Sequence, residues 1–299
     1  MRSFDEITKA AKAKGTKVIA VAVAQDRDVL SAIKSASDLG IAKAIFVGDK
    51  EGIKEEATHT DIDLSEYEII DEKDKTKACE KAVSLVTEGK AHILMKGIVD
   101  TSVILRAALA ESAGLRTGNI LSHVAVFEVN GFNKLFYITD AGMNIAPDLK
   151  QKKQIIENVV EMAHALGNPN PKVAVLAAVE KVNPKMQATL DAEALVKMNE
   201  SGEIKGCLLG GPFAFDNAVS IEASKHKGIV HPVAGNADIL VVPTIESGNI
   251  LYKAIVYFAH GRSSGIVVGA KVPIIVTSRA DSDIAKLNSI SIGALMANS

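Results

Sequence analysis

An α/β fold built on mostly parallel sheet is the class this sequence predicts, and three observations point to it. Short, continuous apolar runs recur at residues 18–24, 44–47, 68–70, 92–95, 173–178, 206–209, 239–242 and 272–277. Stretches with helical periodicity separate them, and strands that are apolar throughout suit a parallel sheet covered on both faces. At 299 residues the chain exceeds ordinary single-domain size, so two domains of about 150 residues each are the default.

Each element has a local reason. The run 92–95 ends in Lys96-Gly97, and Asp100-Thr101-Ser102 opens a helix that continues to Ala110. Residues 121–129 and 135–139 read as two strands joined by Asn130-Gly131-Phe132-Asn133, a hairpin turn signal that breaks the alternation. Gly142, Pro147 and Asp148 follow, the last suited to cap a helix beginning near Leu149. A domain junction is expected there, with residues 1–142 plus a returning helix at 284–299 forming the first domain and 143–283 the second. Beyond it, the run 206–209 leads into Gly210-Gly211, the run 239–242 into a helix reaching His260, and the run 272–277 into Ser278-Arg279-Ala280-Asp281-Ser282.

Composition narrows the function. The chain is 47% hydrophobic and 23% charged, with 34 basic against 36 acidic side chains and a formal net charge of -2. Nothing in that balance points to nucleic acid or an anionic membrane. The run 18–24 is too short to span a bilayer and the first residues lack a secretory pattern, so a cytoplasmic protein is expected. Two cysteines, Cys79 and Cys207, make no disulfide framework. The seven histidines form no metal-spaced pair, and no metal site is expected. GxGxxG, GxxxxGK[ST] and GxSxG are absent, which weakens hydride transfer, ATP hydrolysis and serine-nucleophile chemistry.

The loop after residues 272–277 carries the strongest chemistry: a hydroxyl at Ser278, a guanidinium at Arg279 and a carboxylate at Asp281. Ligands of open α/β sheets bind beside the carboxyl ends of strands, where this loop lies. Lys96 and Gly97, ahead of a helix N-terminus, fit an anion site and equally a tight turn with a solvated strand end. Arg106 and Arg116 follow and have the fork that grips phosphate. Asn249 and Lys253, four residues apart, share one face of their helix, as a ligand site or a solvated surface.

Six segments in this order resemble the phosphate acetyl/butyryltransferase family, most closely its butyryl-transferring branch: MKGIVDTS at 95–102, LSHVAVFE at 121–128, TDAGMNIAPDL at 139–149, GPFAFDNAVS at 211–220, ESGNILYK at 246–253 and TSRADS at 277–282. The resemblance covers essentially the whole chain. It implies two α/β/α domains of isocitrate/isopropylmalate dehydrogenase-like architecture, with the active site in a cleft between them. It also implies reversible conversion of acyl-CoA and phosphate into acyl phosphate and CoA through a ternary complex, with no bound cofactor and assembly as a homodimer or larger homo-oligomer. By resemblance, Ser278, Arg279 and Asp281 are catalytic, and Lys96, Gly97, Thr101, Arg106, Ser122, Asn144, Asn249 and Lys253 contact phosphate or CoA. The loop is shorter here than in acetyl-transferring members, which leaves Asp283 as an alternative to Asp281.

Three other readings compete with a butyryl-transferring enzyme. They are a phosphate acetyltransferase, a metal-dependent decarboxylating dehydrogenase, for which no aspartate cluster is visible, and a non-catalytic sensor of acyl-CoA or acyl phosphate. One methylene more or less is worth only about 1–3 kcal/mol of discrimination, so acyl chain length is not legible in the sequence.

Overall fold

The structure is a computed structural model that describes residues 1–278 and 281–297. The chain divides into two compact units, Phe4–Asn119 with Ser264–Ser299, and Met1–Ser3 with Ile120–Ser263. The changeovers at 119/120 and 263/264 lie upstream of the junctions expected at 142 and 284. The hairpin is the reason: its second strand pairs in parallel with a strand of the later unit and takes the whole hairpin with it.

In the Phe4–Asn119 unit helices and strands alternate: α1 (Phe4–Lys14), β1 (Lys17–Ala22), α2 (Arg27–Asp38), β2 (Ala42–Gly48), α3 (Lys50–Ala57), β3 (Glu68–Asp71), α4 (Lys75–Thr87), β4 (Ile93–Lys96) and α5 (Thr101–Ala108). The Ile120–Ser263 unit contains β5 (Ser122–Glu128), β6 (Leu135–Thr139), α6 (Leu149–Ala165), β7 (Lys172–Leu176), α7 (Gln187–Glu200), β8 (Leu208–Phe213), the short α8 (Phe215–Val219) and α9 (Ile221–His226), β9 (Ile239–Val241) and α10 (Ile245–Tyr257). β10 (Arg262–Val268), β11 (Ile274–Ile275) and α11 (Asp283–Met296) end the chain.

The first unit orders its strands β3-β2-β1-β4-β11-β10, all neighbours parallel except β10 with β11. The second orders them β5-β6-β9-β7-β8, parallel beyond the β5–β6 hairpin. This is the α/β class that the apolar runs predict.

Burial explains the pattern. Ile19, Ala20, Val21 and Ala22 of β1 are fully inaccessible, and α1 and α11 pack together with Phe4, Ile7, Ile290 and Ile292 also at 0%. The larger of these, Ile19, Val21, Phe4, Ile7, Ile290 and Ile292, contribute about 1.5–3 kcal/mol each on leaving water. In the second unit Phe127 meets Tyr252 edge-on at 5.2 Å, within a core that includes Ile138, Phe213 and Leu240. Caps start the helices where expected: the Asp148 carboxylate accepts from the Gln151 amide at 2.8 Å while the Gln151 side chain accepts from the Asp148 amide at 2.9 Å.

Two elements differ from expectation. β8 continues through Gly210-Gly211-Pro212, where a loop was expected. Proline is tolerated in that strand because β8 ends the strand order and needs no outward ladder donor there. β10 was not anticipated, since it opens on Arg262-Ser263-Ser264-Gly265, residues of low strand propensity that only burial stabilises as a strand.

Candidate active site

Parallel pairing brings the first set of predicted residues to one sheet edge. Ile275 of β11 pairs with Met95 of β4, and Lys96 pairs with Ala22 of β1. Ser278 therefore follows three residues after the end of β11, while Lys96 is the last residue of its neighbour β4 and Gly97 comes next. Gly97 is required by close approach: its amide donates to Ala22 O at 2.8 Å, and a Cβ there would lie 2.1 Å from Val23 O. Val23 has φ 58, a conformation that a β-branched residue adopts only when its neighbours impose it.

Lys96 is 5% exposed, and its ammonium donates to Gly97 O at 3.1 Å and Val99 O at 3.2 Å. It clamps the turn that delivers Thr101, half-buried, to the first position of α5. Of the alternatives open for Lys96, the solvated strand end is thereby removed.

Beyond β11, two described residues are joined by a pair of hydrogen bonds. The Ser278 amide donates to Asp281 Oδ2 at 2.7 Å, and the Asp281 amide donates to Ser278 O at 3.1 Å. Ser282 caps α11 by accepting from the Ala285 amide at 3.2 Å. Asp283 points elsewhere: it lines a polar surface cavity with Lys34, Asp38, His59 and Asp61. Of the two carboxylates, Asp281 is the one that shares the loop's hydrogen bonds with Ser278. Arg279 lies outside the described residues.

A second group assembles in the Ile120–Ser263 unit, at the carboxyl ends of the adjacent strands β6 and β9. Asp140, 2% exposed, accepts from the amides of Gly142 and Met143 at 2.9 Å and Asn144 at 3.2 Å, and from the Asn144 side chain at 2.6 Å. The Asn144 side chain also donates to Leu121 O at 2.9 Å. α10 docks on this loop: the Ile245 amide donates to Ile145 O at 2.9 Å, and the Asn249 side chain to Ala141 O at 3.4 Å. A Cβ on Gly248 would lie 2.7 Å from Asp140 O, so a glycine is needed where the helix meets the loop. The Lys253 ammonium lies 5.8 Å from the Tyr252 ring centroid, one turn beyond Asn249.

Two predicted contacts fall away from these groups. Ser122 is fully buried and accepts from the Asn158 side chain at 3.0 Å, which leaves its hydroxyl no surface for a ligand. Arg106 lines a 510 Å³ groove between α4 and α5 with Glu80 and Glu88, and Lys96, Gly97 and Thr101 are not among the residues lining it. Arg116 is exposed, its Nε donating to Leu109 O. Among the described residues, no cluster of His, Cys, Asp or Glu is placed to hold a metal ion.

The sequence pattern of the phosphate acetyl/butaryl transferase family matches residues 3–83 and 75–294. The chain belongs to that family. A phosphate butyryltransferase of Clostridium beijerinckii is 51% identical over 296 residues, covering 99% of this chain and 98% of the relative. A phosphate acetyltransferase of Rhizobium meliloti is 42% identical over 294 residues, covering 98% and 93%. Among solved structures, a branched-chain phosphotransacylase from Enterococcus faecalis superposes with a TM-score of 0.83 at 34% identity, covering 94% of this chain and 98% of that one.

Within this family member, Asp140 and Gly248 organise the second group, and residue-type reasoning missed both. The available signal was an aspartate at a strand end followed by small residues, the pattern that lets consecutive amides converge on one carboxylate. The thiols play no comparable part. Burial pushes Cys79 and Cys207 up to about 11, so both stay protonated and poorly nucleophilic.

Proposed function

We propose that the protein transfers an acyl group reversibly between CoA and inorganic phosphate, butanoyl-CoA plus phosphate giving butanoyl phosphate plus CoA. The observation that carries this reading is the Ser278–Asp281 loop at the end of β11, beside the Lys96-Gly97 turn. Relatives named for this activity match the chain over nearly its whole length.

An ordinary thiol has a pKa of about 8.5, so little of CoA is thiolate at neutral pH and a positioned base assists its attack on acyl phosphate. We assign that task to Asp281, which takes the thiol proton as sulfur bonds to the carbonyl carbon. In the collapse of the tetrahedral adduct the C–O bond to phosphate breaks and inorganic phosphate leaves. Arg279 matches the phosphate as a planar fork, and Ser278 donates to the carbonyl oxygen as negative charge grows there. In the reverse direction phosphate attacks the thioester and Asp281 returns the proton to the departing thiolate. The protonated, buried cysteines support direct transfer in a ternary complex over an acyl-enzyme.

Among the binding candidates, Lys96, Gly97, Thr101, Asn144, Asn249 and Lys253 remain in this reading, while Ser122 and Arg106 do not. The substrates are small molecules, with CoA a substrate and not a resident cofactor. Substrates of this kind imply the cytoplasm. No helix among the described residues is long and apolar enough to cross a membrane. Exposed apolar side chains on and beside α10, with Ile250 at 69% and Phe258 at 88%, support assembly of the chain with itself.

Butanoyl is preferred over acetyl in this reading, and the acetyltransferase relative keeps the second possibility in view. Rates of phosphate-dependent CoA release from acetyl-, propionyl-, butanoyl- and valeryl-CoA decide between them. A clear preference for acetyl-CoA overturns the butanoyl assignment, and binding of acyl-CoA without CoA release overturns catalysis in favour of a sensor.

A further inference from the structure

Lys286 sits in the first turns of α11, three residues beyond Asp283, the first residue of the helix, and is only 2% exposed. Both facts count against a lysine there. The amino end of a helix carries partial positive charge and favours acids, and a buried ammonium is costly unless it is paired. Its partners are specific. Lys286 Nζ donates to the backbone carbonyl of Asp281 at 2.5 Å and lies 3.6 Å from Asp28 Oδ2 in the first turn of α2. Asp281 is thus held at two points, its carboxylate by the Ser278 amide and its carbonyl by Lys286.

Asp28 adds a second connection. It follows the segment that leaves β1 through Val23, whose carbonyl accepts from the Ile98 amide at 2.9 Å beside Gly97. The ammonium therefore ties the loop after β11 to the start of α2, the helix that follows β1 and the strained Val23 turn.

We infer that Lys286, anchored by Asp28, is a positioning residue that fixes the Ser278–Asp281 loop for acyl transfer. The inference rests on the reading of Asp281 as the base. Lys286 does not touch substrate. It removes the freedom of the Asp281 backbone, and a misplacement of about 1 Å in a reacting group lowers turnover by as much as a hundredfold.

The experiment measures kcat, both KM values and the melting temperature for Lys286→Met, Asp28→Ala, Asp281→Asn and the double variant Lys286→Met/Asp281→Asn, with butanoyl-CoA and inorganic phosphate as substrates. Lys286→Met is expected to lower kcat by roughly ten- to a hundredfold with both KM values nearly unchanged. The double variant is expected to be no slower than Asp281→Asn alone, because the two residues act through one group. Asp28→Ala changes a half-exposed side chain and keeps the proposal testable if Lys286→Met does not fold; its kcat is expected to fall by roughly three- to tenfold.

A folded Lys286→Met with normal kcat, or a loss expressed in KM alone, overturns the role of Lys286 while leaving Asp281 as the base. Multiplicative losses in the double variant overturn it as well. Near-normal turnover in Asp281→Asn overturns the base assignment and this inference with it, an outcome distinct from a normal Lys286→Met beside a slow Asp281→Asn, which overturns the inference alone.

Discussion

Replacing Gly97 by alanine adds one methyl group where two strand ends meet. The new Cβ would stand 2.1 Å from Val23 O, 2.8 Å from Val23 C and 2.9 Å from Ala22 O, all backbone atoms that cannot rotate away. Real Cβ contacts essentially never fall under 3.0 Å, so the two ends must part by about 0.9 Å in a close-packed interior. Overpacking of that kind costs about 1–3 kcal/mol, which lowers the melting temperature by several degrees in a chain of this size. The displacement also reaches function, because Lys96 is bonded to the carbonyls of Gly97 and Val99 and would move with them. Turnover is expected to fall by roughly tenfold to a hundredfold. Differential scanning calorimetry and CoA release from butanoyl-CoA with phosphate measure the two effects. A Gly97→Ala protein that melts within a degree of the parent and keeps its kcat/KM refutes the argument that this approach positions the site.

Other outcomes follow from the same geometry. Arg279→Ala and Asp281→Asn should each lower turnover about a hundredfold or more while the protein stays folded, a loss typical of removing one group that stabilises the transition state; Asp283→Asn, facing a different cavity, should lower it little, and the reverse ranking reassigns the base. Replacing both Cys79 and Cys207 by alanine should leave kcat/KM within about twofold, because buried thiols held near 11 supply little thiolate; loss of turnover with an unchanged melting profile would reopen covalent catalysis. His231 is held below its ordinary value, mainly by burial, and its Nδ1 accepts from the Val233 amide at 3.1 Å. A depressed histidine stabilises the fold above its unfolded value, about 6.5, and that contribution is lost as the pH falls below it. The drop in melting temperature between pH 7 and pH 5 should therefore be smaller in His231→Gln, and an equal drop in both proteins removes His231 from the explanation.

Much of the fold was readable because burial leaves a local trace. Apolar runs such as 18–24 and 92–95 can be buried on both faces only in a covered sheet, and Asp148 announces its helix through a bond to its own neighbour Gln151. β10 left no such trace, since Ser263 and Ser264 are polar and become strand residues only when buried. The site divided along the same line. Ser278 and Asp281 were visible as unusual chemistry in a strand-end loop, and the structure joins them by a hydrogen bond between residues three apart.

Ser122 and Arg106 show the limit of residue type as a guide. A serine and an arginine have the same donors wherever they lie, and only packing decides whether those donors reach a ligand, as it turns Ser122 to Asn158 and Arg106 to the α4–α5 groove. Asp140 and Lys286 show the converse. One gathers the amides of three following residues, and the other reaches Asp28 across 258 positions of chain. Local composition and motifs in order were enough for the α/β class, the strand-end loop and the family. Which polar groups are held by the protein's own carbonyls, amides and carboxylates is a matter of packing, since those bonds exist only once distant segments come together.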